Sequence, residues 1–197
     1  MPEHLLSAEQ SELYESDGFG ISNNSDGTGI VKIFIHIRKD SMIPSFDALT
    51  DLKYFTEGLE EQQKLTASLI EMVTDGGGMF VEDILKLQER DVYSMAEEKM
   101  ELGNTPPVIA LHALKKAVCN YFEQTGQNDR YNKATEDVLC VCRHVTAADI
   151  EDLIQKGKTT YEEISKITGS GTGCGSCANK VKDFIDGKIN TDLGKFA

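Results

Sequence analysis

The sequence predicts an α+β protein in two units: a mixed sheet-and-helix N-terminal unit and a smaller, mostly helical C-terminal one. Three observations carry this. Residues 30–37 form a β-branched stretch in which Ile33, Ile35 and Ile37 recur with period two. Several later segments show helical periodicity instead. Charge and cysteine are also unevenly divided. The 197-residue chain has a formal net charge of −13, nearly all of it before residue 136, and four of its five cysteines follow residue 139. With 40% hydrophobic residues it has enough apolar material for ordinary cores.

Taken in order, residues 1–27 are a polar lead rich in turn formers. Strand 30–37 opens a unit spanning 28–124, with a weaker strand signal at 46–56. Leu65, Leu69, Met72 and Val73 mark a helix over 59–74, which Asp75-Gly76-Gly77-Gly78 should stop. Short helices are expected at 80–88 and 91–102. Ile109, Ala113, Leu114, Ala117, Val118 and Tyr121 outline an amphipathic helix after Pro106-Pro107. Residues 125–136 have almost no aliphatic side chain and suit a linker. The last unit, 137–190, reads as an extended piece at 137–142, helices at 147–156, 160–167 and 176–187, and a glycine loop at 169–175. Thr146 and Thr159 are candidate N-caps.

Composition also excludes. A chain this acidic is a poor general ligand for nucleic-acid phosphates. No apolar run is long enough to cross a bilayer, and the first residues lack the pattern of a secretory signal. A cytoplasmic, reducing location is the default expectation. There, clustered cysteines serve metals or redox chemistry more often than structural disulfides.

Cys140 and Cys142 form a C-x-C pair, and Cys174 and Cys177 a C-x-x-C pair. Two close thiolate pairs suit a 2Fe-2S cluster, with two sulfurs for each iron. A tetrahedral zinc site is the chemical competitor. The run Gly169-Ser170-Gly171-Thr172-Gly173-Cys174-Gly175 brings backbone close to sulfur, and its N–H groups can donate to it. Arg143, Lys180 and Lys182 are placed to offset an anionic cluster. His144 is a candidate for tuning it, against the alternative of a surface histidine.

Those residues carry a family resemblance. Val138-Leu139-Cys140-Val141-Cys142-Arg143-His144-Val145-Thr146, Thr159-Thr160-Tyr161-Glu162-Glu163-Ile164 and Thr172-Gly173-Cys174-Gly175-Ser176-Cys177 resemble the bacterioferritin-associated-ferredoxin type of 2Fe-2S domain, in the version found within NifU proteins. The resemblance covers roughly 137–187. It implies an all-helical domain with Cys140, Cys142, Cys174 and Cys177 as cluster ligands.

Residues 28–123 in turn are faintly similar to the IscU-type scaffold that precedes this domain in NifU. The similarity lies in Gly29–Ile35, Asp51–Gly58, Ala67–Val73, Pro106-Pro107-Val108 and Ala113–Val118. That family assembles clusters on three cysteines, and none is matched here. Gly27 or a neighbour stands at the first position and Leu59 at the second, and the third falls in a gap between Val108 and Ala110. Cys119 comes several residues too late and reads as a core thiol. His112 reads as a helix-surface or partly buried histidine. Met72, Met79, Met95 and Met100 read as packing residues, and Glu60-Glu61 and Glu97-Glu98 as solvated faces.

The function implied is that of a non-enzymatic iron–sulfur protein passing single electrons in cluster assembly. Its implied partners are a cysteine desulfurase or a redox protein, and a homodimer fits the family. A stand-alone redox adaptor and a cluster-based sensor are the competing readings.

Overall fold

Val31, Ile33, Ile35 and Ile37 are all buried, so the period-two pattern does place one face of a strand in a core. The structure is a computed structural model, and it describes residues 4–24, 27, 29–59, 62–98, 106–135, 137–141, 143–172 and 175–188. The fold is α+β. Strand β2 (Ile30–Arg38) lies between β1 (Gly18–Asn23) and β3 (Ala48–Glu57), and β4 (Met79–Phe80) completes an antiparallel meander in the order β1-β2-β3-β4. His36 alternates with the buried isoleucines and meets Tyr14 on the other face, at 3.1 Å. Phe34 shares that face with Tyr14 and Phe19.

The lead is more ordered than its composition suggests. Ser7 and Gln10 form a capping box on α1 (Ala8–Leu13). Gly18 and Gly20 belong to β1 rather than to turns. A Cβ at Gly20 would lie 2.0 Å from the Ala113 carbonyl, and one at Gly18 2.4 Å from that of Ala117. These glycines let the helix that contains both alanines, α5 (Ile109–Gln124), lie directly on the sheet.

Helix α2 (Gln63–Thr74) buries Leu65, Leu69, Ile70 and Val73, and α3 (Val81–Lys86) and α4 (Glu89–Met95) follow. The acidic helix expected over 91–102 starts and ends earlier, and Met100 and Glu60-Glu61 lie outside the described residues. Of the methionines, Met79 packs on the core, whereas Met95 is 44% exposed. Glu98 pairs with Lys64 at the surface.

The stretch expected as a linker carries local structure over its described residues, 125–135. They include α6 (Asn128–Ala134), with Tyr131 and Ala134 packed on the first core. Arg130 holds it in place. Its guanidinium reaches Asp47 at 2.8 Å and Glu82 at 2.6 Å, and lies 5.1 Å over the Phe122 ring. Aliphatic content missed this segment because a charged side chain makes its tertiary contacts.

The last segment builds a second core from Leu139, Cys140, Val145, Ala147, Ile150, Ile164, Cys177, Val181 and Phe184. It is not purely helical. β5 (Val138–Cys140) pairs with β6 (Val145–Thr146) before α7 (Ala147–Gln155), α8 (Tyr161–Thr168) and α9 (Ala178–Ile185). Thr146 caps α7 in a box with Asp149. The cap of α8 is Thr160, one residue after the expected Thr159. No helix among the described residues is long and apolar enough to cross a membrane.

Candidate metal centre

Cys140 ends β5 and is 2% exposed, and Cys177 precedes α9 and is 8% exposed. These two thiols, 37 positions apart in sequence, share a hydrogen bond. That bond, followed by burial, pushes the Cys140 thiol well above its ordinary range, while the amides of Arg143 and Gly171 act on its sulfur in the opposite sense. The Gly171 amide also donates to Cys177 Sγ at 3.2 Å. A thiol pair held in this way keeps protons that a metal must displace.

The glycine loop is positioned for this contact. Gly171 has φ +79°, and a Cβ there would lie 2.0 Å from the Tyr161 hydroxyl oxygen. A side chain would therefore push the loop and its amide away from the sulfurs. Ser165 anchors the same loop by donating to the Ser170 carbonyl at 2.6 Å. Buried sulfur ringed by N–H donors is the environment an anionic thiolate cluster needs, so the residues present fit such a group. Cys142 and Cys174 lie outside the described residues. Among the described residues no group of three or more His, Cys, Asp or Glu side chains is arranged to hold a metal ion.

The neighbouring charges each have a partner in the structure. Arg143 runs between the glycine loop, where it donates to Thr172 at 3.3 Å, and an ion pair with Glu89 of α4. Lys180 donates to the Val138 carbonyl at 2.9 Å, and Lys182 sits 4.6 Å over the Tyr161 ring. His144 has φ +49° and is half-buried beside the cysteine loop. Burial, then the Lys115 charge, pushes its pKa below the ordinary value, so it is neutral at physiological pH.

Glu89 and Lys115 on the N-terminal unit escaped sequence reading, which places His112 at the helix surface or partly buried. Glu89, His112 and Lys115 are 2%, 1% and 2% exposed. His112 is a core residue, not a surface one, and its Nε2 meets Glu89 Oε1 at 3.0 Å. Lys115 Nζ donates to the Val141 carbonyl at 2.7 Å, between the C-x-C cysteines. The available signal was polar residues at positions 112 and 115, on the apolar stripe of α5. Nothing in the sequence marks Glu89.

Around the positions where the resemblance places the scaffold family's cysteines, the chain is packed or bridged. A Cβ at Gly29 would lie 2.6 Å from the buried Leu59 side chain. Gln62 donates to the Pro107 carbonyl at 2.9 Å and accepts from the Ile109 amide at 3.1 Å, clasping the start of α5. Pro106 accepts a hydrogen bond from Tyr93.

Cys119 is half-buried rather than fully buried. It borders a recess of about 270 Å³ that Cys140, Cys177, Lys115, Lys116 and Lys180 also line. Burial, then the Glu123 charge, pushes its thiol up, so it is protonated at neutral pH. Cys119→Ala is expected to leave the visible spectrum unchanged. Iodoacetamide should alkylate Cys119 in the folded protein more slowly than a free thiol, with the rate recovering as pH rises past the ordinary thiol range. Loss of chromophore in the variant, or fast labelling at pH 7, would contradict this placement.

Comparison with known proteins gives this geometry a family. The BFD-like [2Fe-2S] binding domain matches residues 138–186. The bacterioferritin-associated ferredoxin of Pseudomonas aeruginosa is 38% identical over 52 residues, covering 26% of this chain and 71% of the ferredoxin. The nitrogen fixation protein NifU of Trichormus azollae is 25% identical over 146 residues, covering 71% of this chain and 45% of NifU. A nitrite reductase of Bacillus subtilis is 22% identical over 103 residues, 12% of that protein. The chain thus spans less than half the length of the NifU relative. The cofactor these matches support is a 2Fe-2S cluster. The chain belongs to the BFD-like 2Fe-2S family through its C-terminal unit and is NifU-like over most of its length.

Proposed function

We propose that this iron–sulfur protein holds a permanent 2Fe-2S cluster on Cys140, Cys142, Cys174 and Cys177 and passes single electrons in cluster assembly. The observation that carries the reading is the convergence of Cys140 and Cys177 under the amides of Arg143 and Gly171, within the segment that matches the family. When bound, the cluster supplies a one-electron couple. The chain's own residues bury the sulfurs, hold the loop and direct N–H groups at them. A protein of this kind needs no bound substrate and is not itself an enzyme.

The proposed partners are a cysteine desulfurase or another assembly protein, by the likeness to NifU, and a homodimer is the proposed assembly. A reducing compartment such as the cytoplasm suits four thiolate ligands. The segment 28–124 is proposed as a scaffold-type domain without its own cluster, because no cysteine precedes Cys119 and Leu59 and Gln62 occupy the region. That loss equally favours a second reading, a redox adaptor that docks an oxidoreductase.

Anaerobically prepared protein is expected to be coloured, to carry two irons per chain, and to give an EPR signal only after one-electron reduction. Colourless protein with stoichiometric zinc would overturn the cluster assignment. Co-purification with a desulfurase supports assembly, and its absence under reducing conditions favours the adaptor.

A further inference from the structure

We propose that the N-terminal unit is an electrostatic cover for the cluster loop, in which Glu89 and Lys115 position that loop and set the cluster's reduction potential. The inference rests on the cluster reading above and goes beyond it. A domain that has lost its ligand cysteines would be expected to retain, at most, a docking face. This one instead turns two deeply buried charged groups toward the other unit.

Buried charges are costly unless paired, and each of these finds its partner in the stretch that carries Cys140 and Cys142. Glu89 is 2% exposed, and its carboxylate forms the ion pair with Arg143 while also accepting from the Val108 amide at 3.0 Å and meeting His112 at 3.0 Å. Lys115 is also 2% exposed, and its Nζ donates to the Val141 carbonyl at 2.7 Å. Val141 itself packs on the N-terminal core rather than on the core of its own unit. Among the described residues, the N-terminal unit thus engages the cysteine loop through one apolar contact, one ammonium and one carboxylate.

Two opposite charges in one low-dielectric setting act on an anionic group with opposite sign. Adding an electron makes a thiolate cluster more negative. Glu89 disfavours that step directly and by engaging Arg143, whereas Lys115 favours it. Net charge and hydrogen bonding around the sulfurs are recognised determinants of such potentials.

The test uses the full chain with its cluster, titrated spectroelectrochemically. Glu89→Gln is expected to favour the reduced form about tenfold at fixed potential, a rise of about 59 mV for one electron. Lys115→Gln should shift it by a similar amount the other way, and Lys115→Arg should return it toward wild type. Glu71→Gln, on the exposed face of α2, is the control and should move it little. Shifts of opposite sign support the cover. No shift, or shifts of the same sign, overturn it, because simple loosening of the loop moves both variants alike. If Glu89→Gln does not accumulate, the sign and rescue of Lys115→Gln decide. A wild-type protein without a 2Fe-2S spectrum fails the cluster reading instead, and that outcome is visible before any titration.

Discussion

Cys177→Ala is expected to abolish the visible cluster absorption and to unfold most of the segment 138–186. Cys177 is buried, precedes α9, belongs to the second core and accepts the Gly171 amide. Removing its sulfur takes away a proposed ligand, the acceptor for that amide and the partner of Cys140 together. The second core is formed by short helices and a two-stranded ladder, and a unit of this size rarely gains more than about 3–5 kcal/mol from apolar packing alone. In such domains metal binding is largely folding free energy. Iron content, visible absorption and far-UV circular dichroism measure the two consequences. Full iron content with an unchanged spectrum would show that Cys177 is not a ligand. Cluster loss with fully retained ellipticity and melting would show that the second core stands without it.

Cys140 and Cys177, the two candidate ligands among the described residues, are legible because their signals are local. The C-x-C and C-x-x-C spacings, and the glycines between them, mark Cys140 and Cys177 without reference to any other element. Periodicity likewise located β2, α2 and α5, since burial of Ile33, Leu69 or Leu114 depends on one dominant face. What was not legible depends on contacts distant in sequence. Gly18 and Gly20 look like turn residues until Ala113 and Ala117 approach them from α5. His112 and Lys115 interrupt an apolar stripe, and their role follows only from Glu89 and Val141, which α4 and the cysteine loop bring to them. Arg143 is legible as a cation next to Cys142, yet its partner is a carboxylate 54 positions earlier in the chain. Hydrophobicity scales register where a charged side chain tends to go, not which buried charge it will meet.

The same limit explains α6 and leads to the second large effect. Asp47 is 2% exposed and serves three donors: Tyr121 at 2.9 Å, Arg130 at 2.8 Å and the Asp40 amide at 2.8 Å. Burial, with the bond to Asp47, pushes the Tyr121 phenol up to about 12, so it remains a donor at any ordinary pH. Asp47→Ala leaves Tyr121 and Arg130 without this acceptor in a setting that water does not readily replace. Breaking a buried pair by removing one partner costs about 3–5 kcal/mol. Arg130 keeps Glu82, and its side chain is 19% exposed, so the lower end of that range is expected. Urea unfolding followed by far-UV circular dichroism should show the corresponding fall in midpoint. The cluster spectrum should keep its shape, because no residue of this network belongs to the second core. Arg130→Lys tests the geometry separately. A single ammonium cannot span Asp47 and Glu82 as a guanidinium does, so it should recover only part of the stability. An Asp47→Ala variant as stable as wild type would mean that the polar segment around α6 is a tether after all. Cluster loss in that variant would instead show that the network around α6 supports the candidate metal centre directly.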